Sequence, residues 1–312
     1  MLQYNIYTEE HVICATAMQI FTHIVKHSKK YSPQIDTIYI ITHKNRDYSA
    51  ELNVNTSYVL DLFKKNVQID PIVSVLSLNL LAELLAVDSS APTTILQKFE
   101  TVEYFKLMNE IITYTNKKNI NRMEEIRKVE GNSYGCPIIG FFDGIFIFLQ
   151  KLFVRFQKEN RKVKEFLVHM QESGLNESIF ALLVQINHRS DISPKGFISM
   201  LSLIHDCIYN DFNTFAFKMF QSNVLQLFSD LMKENQMVTL QEWPAAFGGG
   251  ITCVHLMIGQ ILRILNLPYA FVTTDKELDA INKEFKGTDL IATIISSFKY
   301  LPKEHYVTFS KS

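Results

Sequence analysis

Histidines that share one helical face are the first candidates for chemistry in this sequence. His23 and His27 lie four residues apart, which places them on one face of a helix, as half of a metal site would require. No third ligand lies nearby in the sequence. We therefore expect solvated surface histidines and no metal site.

Two cysteine–histidine pairs have a different spacing. Cys253 and His255 are two residues apart, as are His205 and Cys207, so the members of each pair point to different sides of a helix. This spacing argues against joint metal ligation and against activation of a thiol nucleophile. No Gly-x-Ser-x-Gly motif is present either. We expect packing residues, no catalytic residue and no cofactor; the alternative is a helical enzyme whose catalytic residues lie far apart in the sequence.

Two glycine-containing motifs have simple structural interpretations. Gly248, Gly249 and Gly250 precede a predicted helix, where backbone N–H groups could surround a phosphate, but no Lys-Ser or Lys-Thr follows them. They predict a flexible turn. Asp143-Gly144 follows two phenylalanines, as in the metal-binding motif of protein kinases, but neither a glycine-rich loop nor a His-Arg-Asp motif accompanies it. We expect Asp143 at a helix edge or beside a local donor, because burying an unpaired carboxylate is costly.

A concentration of positive charge is the most informative charge feature. Residues 117–165 contain eleven basic and six acidic side chains, a local charge of +5, in a chain whose net charge is −1. Four of the basic residues recur at intervals of four, three and four, which aligns them along one face if the helix is continuous. This basic stripe consists of Lys151, Arg155, Lys158 and Lys162. The opposite face, with Phe146, Leu149 and Phe153, is expected to face the core.

The basic stripe predicts a partner protein with acidic segments, since concentrated charge steers association. The alternative is an ordinary solvated helix face. Nucleic acid is not expected, because the sequence pI is 6.8 and aromatic residues are not interleaved with the basic stripe in a stacking pattern. We expect charge reversal of the four residues to weaken partner binding and to leave the melting temperature nearly unchanged.

A second candidate contact is Trp243, which lies beside the predicted glycine turn. Tryptophan is a common hot-spot residue of protein interfaces. The alternative is that Trp243 fills a gap between two helices.

Composition indicates a folded, helical protein. With 47% hydrophobic residues, 23 phenylalanines and almost balanced charge, the chain differs from disordered sequences. Eleven glycines and eight prolines are few for 312 residues, which argues against β-sandwiches and barrels. Four dispersed cysteines and the lack of a signal-peptide pattern favour a reducing compartment, so we expect the cytoplasm.

Hydrophobic periodicity predicts at least ten helices, the first at residues 12–24 and the last at residues 290–298. Five prolines stand just before or at the start of apolar helical runs, where a missing N–H is tolerated. They are Pro71, Pro92, Pro137, Pro194 and Pro244. The β-branched run at residues 37–42 is isolated, and we expect a short helix or an extended connection there.

The spacing of the prolines indicates the architecture. Successive prolines are 21, 45, 57 and 50 residues apart, and the last three spacings lie near the unit of roughly 40–47 residues in armadillo and HEAT repeats. We predict one all-α domain over residues 1–312, an armadillo/HEAT-like helical-repeat superhelix (an α-solenoid). A stack of this kind suits a chain longer than a typical single core.

One long uncharged stretch, residues 243–262, has the length of a membrane span. Pro244, the three glycines and polar side chains such as His255 interrupt it, whereas a span needs about 20 apolar residues. We expect a buried helix and no membrane span; the alternative is a membrane-associated helical protein.

Two groups of short motifs resemble a known family. The first is Gly131-Asn-Ser-Tyr134-Gly135-Cys136-Pro137 with residues 140–144, and the second is Trp243-Pro244-Ala-Ala-Phe247-Gly-Gly-Gly250. Both are similar to parts of the C-terminal, non-catalytic helical region of Fused-type protein kinases, over about the last two-thirds of the chain. The resemblance implies an armadillo-like fold and, as for ciliary members, microtubule or kinesin-like partners in the axoneme. None of the kinase motifs occurs in the 312 residues, so no functional residue is implied.

Together these patterns predict a non-enzymatic protein-binding scaffold of armadillo/HEAT type. Curved helical stacks expose extended surfaces that bind other proteins. The expected location is the cytoplasm, and the resemblance adds a ciliary or axonemal assembly.

Overall fold

The structure is a computed structural model that describes residues 11–28, 37–41, 49–53, 56–86, 91–118, 140–158, 163–185, 192–211, 224–233, 250–286 and 288–297. Within these ranges the chain forms thirteen helices and one two-stranded hairpin. The predicted helical fold is therefore confirmed. The chain divides into two compact units, Met1–Asn176 and Glu177–Ser312, which are described separately.

The first unit contains the hairpin and seven helices. Its elements are α1 (His11–Ser28), β1 (Thr37–Ile41), β2 (Ser49–Asn53), α2 (Thr56–Asn66), α3 (Pro71–Leu84), α4 (Ala91–Lys98), α5 (Glu103–Lys118), α6 (Asp143–Lys158) and α7 (Val163–Glu172). Helix α8 (Leu175–Gln185) begins at the end of this unit and lies mostly in the second. The second unit continues with α9 (Pro194–Asn210), α10 (Val224–Leu231), α11 (Ile251–Phe271), α12 (Asp275–Lys286) and α13 (Leu290–Ser297).

The isolated β-branched run, expected to be a short helix or an extended connection, is instead a paired strand over Thr37–Ile41, so this expectation was wrong; residue 42 lies outside the described residues. Strand β1 pairs antiparallel with β2, and Ile41 lies opposite Ser49. Isoleucine and tyrosine favour a strand, and a lone strand leaves its backbone groups without hydrogen-bond partners. The partner strand, SAELN, contains no β-branched residue, so its residue types do not predict a strand.

Helix α3 is the centre of the first unit. Thirteen of its fourteen residues are buried, and it packs against α1, α2, α4 and α6. A helix that is apolar on all sides must be enclosed by other elements. The start of α3 is fixed locally, because Asp70 accepts a hydrogen bond from the Ile72 N–H at 3.1 Å and Pro71 occupies the first turn.

Helices α3 and α6 run parallel in close contact. Near the start of α6, Gly144 lies against Val75 of α3. Seven residues later in α6, Lys151 reaches Glu83, which lies eight residues after Val75 in α3. A Cβ atom on Gly144 would lie 2.3 Å from the Val75 carbonyl oxygen, so only glycine permits this approach. Asp143 is the first residue of α6, as expected of a carboxylate at a helix edge.

Phenylalanines join the helices around this pair. The ring of Phe99, just after α4, lies 4.9 Å from that of Phe148 in α6. Phe166 in α7 lies 5.1 Å from Phe105 in α5 and 5.3 Å from Phe153 in α6. Edge-to-face and tilted ring pairs of this kind are favourable beyond the area they bury. The high phenylalanine content therefore serves the core of the first unit.

In the second unit, α9 packs against α11, and α10 packs against α13. The side chain of Ser193 caps α9 by accepting a hydrogen bond from the Gly196 N–H at 3.2 Å, and Pro194 follows it. Of the three glycines predicted to form a turn before α11, the structure describes only Gly250, whose φ of 98° favours glycine. Pro268 lies in the last turn of α11.

The predicted helix starts at the prolines are confirmed where the structure describes them. Pro71 and Pro194 begin α3 and α9, and Pro92 is the second residue of α4. Pro137 and Pro244 lie outside the described residues. Among the described helices, none combines the length and the apolar character that crossing a membrane requires.

Helix α12 was not predicted, because its face is sparsely apolar and only Phe285 is buried. A reciprocal cap explains its start. Thr274 Oγ1 accepts a hydrogen bond from the Glu277 N–H at 3.3 Å, while Glu277 Oε2 accepts from the Thr274 N–H at 3.2 Å. A backbone hydrogen bond from Thr273 is the main cause that lowers the pKa of Glu277.

Replacing Gly144 with alanine is expected to destabilise the protein by about 1–3 kcal/mol, since the added methyl group pushes α6 away from α3. Urea unfolding measures the change. The matched control is Gly259→Ala in α11, where a Cβ meets nothing within 4 Å and alanine should stabilise by about 0.5–1 kcal/mol. Equal effects of the two substitutions would contradict the close packing of α3 on α6.

Thr274→Ala is expected to weaken the start of α12 by about 1 kcal/mol. The measurement is amide hydrogen exchange across α12. Because the pKa of Glu277 is lowered in the folded protein, its contribution is complete above its unfolded pKa and is lost as the pH falls through the folded pKa. The difference between wild type and Glu277→Gln should thus disappear in acid. Thr288→Ala, which removes only a bond to the Phe285 carbonyl, is the control and should leave exchange at the start of α12 unchanged.

Candidate protein-docking site

The residues of the basic stripe lie in different environments. Lys151 and Arg155 are half-buried on α6, and Lys158 is exposed at its last position. Lys162 and Trp243 lie outside the described residues. The basic stripe as a binding surface therefore stays a prediction. Besides Lys151, the structure describes Arg155 and Lys158 of the stripe.

Lys151 has a partner inside the protein. Its Nζ atom lies 2.8 Å from Oε1 of Glu83, whose side chain is only 7% exposed. A carboxylate buried in α3 needs a cation beside it, because desolvation of an unpaired charge is costly. The spacing of the basic residues predicted that Lys151 is an exposed charge. In the structure, Lys151 is instead a counterion of Glu83.

The stripe also lacks the continuous helix that its spacing assumed. Phe166 in α7 lies 5.3 Å from Phe153 and 5.8 Å from Phe156 in α6. Along one straight helix, Phe153 and Phe166 would be about 20 Å apart at 1.5 Å per residue. Helices α6 and α7 are therefore two helices that pack on each other. The predicted core face of α6 is confirmed, since Phe146, Leu149 and Phe153 are buried.

Cys207 and Cys253 are buried packing residues, as predicted, whereas His205 and His255, for which packing was also expected, are half-buried; Cys136 lies outside the described residues. Burial raises the pKa of Cys253 to about 11. Burial also raises the pKa of Cys207 strongly, and the nearby charges of Asp206 and Asp211 raise it further. A reactive cysteine needs a thiolate, which these environments disfavour. His23 is exposed on α1, and the described ranges contain no group of three or more His, Cys, Asp or Glu side chains that could hold a metal ion.

Two exposed aromatic rings meet at the C-terminal ends of α9 and α11. Tyr209 is 59% exposed and Phe271 is 39% exposed, yet their ring centroids are 6.1 Å apart in an edge-on arrangement. The ring of His205, one turn before Tyr209, stacks on it at 6.3 Å. We call His205, Tyr209 and Phe271 the C-terminal aromatic patch.

Periodicity explains how α9 presents this patch. His205 and Tyr209 are four residues apart and share one face, while Ile204, Cys207 and Ile208 are buried. The buried face fixes the helix, so the exposed face is held in place. His205 is fixed further, since its Nδ1 atom lies 3.0 Å from Oδ1 of Asp206.

Phe271 is fixed by the end of α11 and by α12. Leu267 is buried, while Tyr269 and Phe271 after it are exposed. The hydroxyl of Tyr269 donates a hydrogen bond to Oδ1 of Asn282 at 3.3 Å, and its ring lies 5.7 Å from Phe285. The last turn of α11 is thus attached to α12, and Phe271 projects beside Tyr209.

Comparison of the chain with models of known protein families, with curated proteins and with solved structures gave no match. The resemblance to the Fused-type helical region therefore stays a prediction. Of its motifs, the structure describes residues 140–144 and Gly250. Phe141 and Phe142 lie in the core there, and Asp143 and Gly144 begin α6.

Sequence reasoning missed the C-terminal aromatic patch. Tyr209 and Phe271 are far apart in the sequence, and nothing local indicates that α9 and α11 end side by side. One signal was present, because the tyrosine stands among polar residues, Tyr209-Asn210-Asp211, at the end of an apolar run. An aromatic residue in polar surroundings is a candidate for exposure.

Lys151→Met is expected to destabilise the protein by about 2–3 kcal/mol, because it removes the ammonium group that lies 2.8 Å from the buried Glu83 carboxylate. Urea unfolding provides the measurement. Lys158→Met, at an exposed position, is the matched control and should change stability by less than about 0.5 kcal/mol. Charge reversal at Lys151 should accordingly lower the melting temperature, which differs from the expectation drawn from the sequence.

A double variant distinguishes loss of the Lys151–Glu83 ion pair from loss of side-chain packing. Glu83→Gln combined with Lys151→Met removes both charges and should recover part of the lost stability. The counterion role would be excluded if Lys151→Met and Lys158→Met unfold at the same urea concentration.

Proposed function

We propose that this protein is a non-enzymatic scaffold that docks other proteins, with the C-terminal aromatic patch as one contact surface. The observation that carries the proposal is the contact between two exposed rings, Tyr209 and Phe271. Aromatic side chains bury a large area on binding and lose little conformational freedom, so they are common interface anchors. Two of them side by side form a continuous apolar patch.

Preorganisation supports the same proposal. Tyr209 contacts the rings of both His205 and Phe271, and the buried residues Cys207 and Ile208 hold its helix against the core. A surface that is already ordered loses less entropy when a partner binds. The patch therefore resembles a prepared contact surface.

We further propose that the helices stack as an armadillo/HEAT-type superhelix. Corresponding helices in stacked repeats are related mainly by translation, so they run in the same direction. The parallel packing of α3 and α6, and the joint C-terminal end of α9 and α11, support such stacking within each unit. A location in the cytoplasm and in a ciliary assembly, with microtubule or kinesin-like partners, is proposed from composition and from the resemblance to Fused-type proteins.

A second contact surface remains part of the proposal. Arg155 and Lys158 lie on α6 next to the end of the helix, and Lys162 follows in the sequence. These charges fit a partner with acidic segments. Lys151 is left out of this surface because it pairs with Glu83.

Quantitative affinity purification from the native cell tests the docking function. Proteins retained by wild type are compared with those retained by Tyr209→Ser/Phe271→Ser and by Arg155→Glu/Lys158→Glu. We expect the first variant to lose partners at least about tenfold, since removing an aromatic anchor typically costs about 2 kcal/mol or more. The second should lose partners that carry acidic segments.

Val168→Ser is the matched control, because Val168 is 47% exposed on α7 and belongs to neither surface. Circular dichroism must show that all variants keep the helical content of wild type. Retention of the same proteins by all four forms of the chain would refute docking at both surfaces.

A further inference from the structure

We infer that the C-terminal aromatic patch receives a positively charged side chain, an arginine of the partner protein. This inference rests on the proposed docking function and names the chemistry of its partner. It follows from three features: exposed aromatic rings, the ends of two helices beside them, and an excess of carboxylates in the chain segments that form these helix ends.

The helix ends provide the first electrostatic contribution. Helix α9 ends at Asn210 and α11 ends at Phe271, and the contact between Tyr209 and Phe271 brings these ends together. The C-terminal end of a helix carries a partial negative charge of about −0.5. Neither helix has a basic residue in its last turn to compensate it. Two negative ends therefore lie beside the rings.

Carboxylates provide the second contribution. Residues 205–211 and 269–277 contain four acidic side chains against one basic, Lys276, so these two segments carry a net charge of −3. The acidic residues are Asp206, Asp211, Asp275 and Glu277. Asp206 lies on the same face of α9 as Tyr209, three residues away. The pKa of Glu277 is lowered by hydrogen bonds from Thr273 and Thr274, so this carboxylate is ionised at neutral pH.

The rings provide the third contribution and favour arginine over lysine. The face of an aromatic ring attracts a cation, and a guanidinium is planar enough to stack on it. The same group can donate two parallel hydrogen bonds to a carboxylate, which an ammonium cannot do. Asp206 and Tyr209, three residues apart on α9, place a carboxylate and an exposed ring on neighbouring positions of one helix face; Oδ1 of Asp206 also lies 3.0 Å from Nδ1 of His205.

The test is an NMR titration of the full chain with Nα-acetyl-arginine amide, followed through the backbone amides of residues 205–211 and 269–273. We expect saturable shifts in the millimolar range at these positions. The norleucine analogue, which has an apolar chain and no charge, should cause no such shifts. The lysine analogue should bind about threefold or more weakly than arginine, since it lacks the planar fork.

Variants assign the contacts. Asp206→Asn should weaken arginine binding about fivefold, and Tyr209→Leu, which keeps apolar bulk, should weaken it by a similar factor. Tyr209→Phe keeps the ring and should bind as wild type does. Unchanged circular dichroism controls for folding.

Two results would overturn the inference: no saturable shift with arginine, or equal shifts with norleucine. Its failure is distinct from failure of the docking function. If Tyr209→Ser/Phe271→Ser loses native partners while Asp206→Asn keeps them, docking stands and the cationic partner is excluded. If arginine binds but native partners are unaffected by every patch variant, the cation site stands and the docking function fails.

Discussion

A carboxylate within the most buried helix is the constraint on which the first unit depends. Helix α3 is enclosed on all sides, yet it carries Glu83 near its end. Such a group is tolerated only beside a cation, and α6 supplies Lys151. Gly144, about two turns before Lys151 in the same helix, lets α6 approach the backbone of α3 at Val75. The ion pair and the glycine contact fix the direction, the register and the separation of the two helices.

Local chemistry in the sequence was sufficient to predict most helices and several of their starts. Asp70-Pro71 and Ser193-Pro194 each combine a capping side chain with a proline, and both begin a helix. Helix α12 shows the limit of hydrophobic periodicity, since its cap residues Thr274 and Glu277 were visible but its apolar face was not. A search for reciprocal caps would have found it.

Contacts between distant residues could not be predicted in the same way. Lys151 and Glu83 are far apart in the sequence. The regular spacing of Lys151 with other basic residues indicated instead that its side chain is exposed. Only the packing of α6 on α3 shows that this charge faces inward. Tyr209 and Phe271 present the opposite case, because two unremarkable residues become a patch where two helix ends meet. In both cases the deciding neighbour comes from another part of the chain.

Pro268 gives the tip of α11 a mechanical property of its own. Proline has no backbone N–H, so the carbonyl of Ile264 receives no hydrogen bond from residue 268 and the helix lacks one rung of its ladder. The turn beyond it is closed by the Val272 N–H, which bonds to the Pro268 carbonyl at 3.1 Å. Because that rung is missing, the tip of α11 depends for its position on contacts outside the helix. Tyr269 supplies them through Asn282 and Phe285 of α12, so the orientation of the Phe271 ring is set by a neighbouring helix as much as by its own.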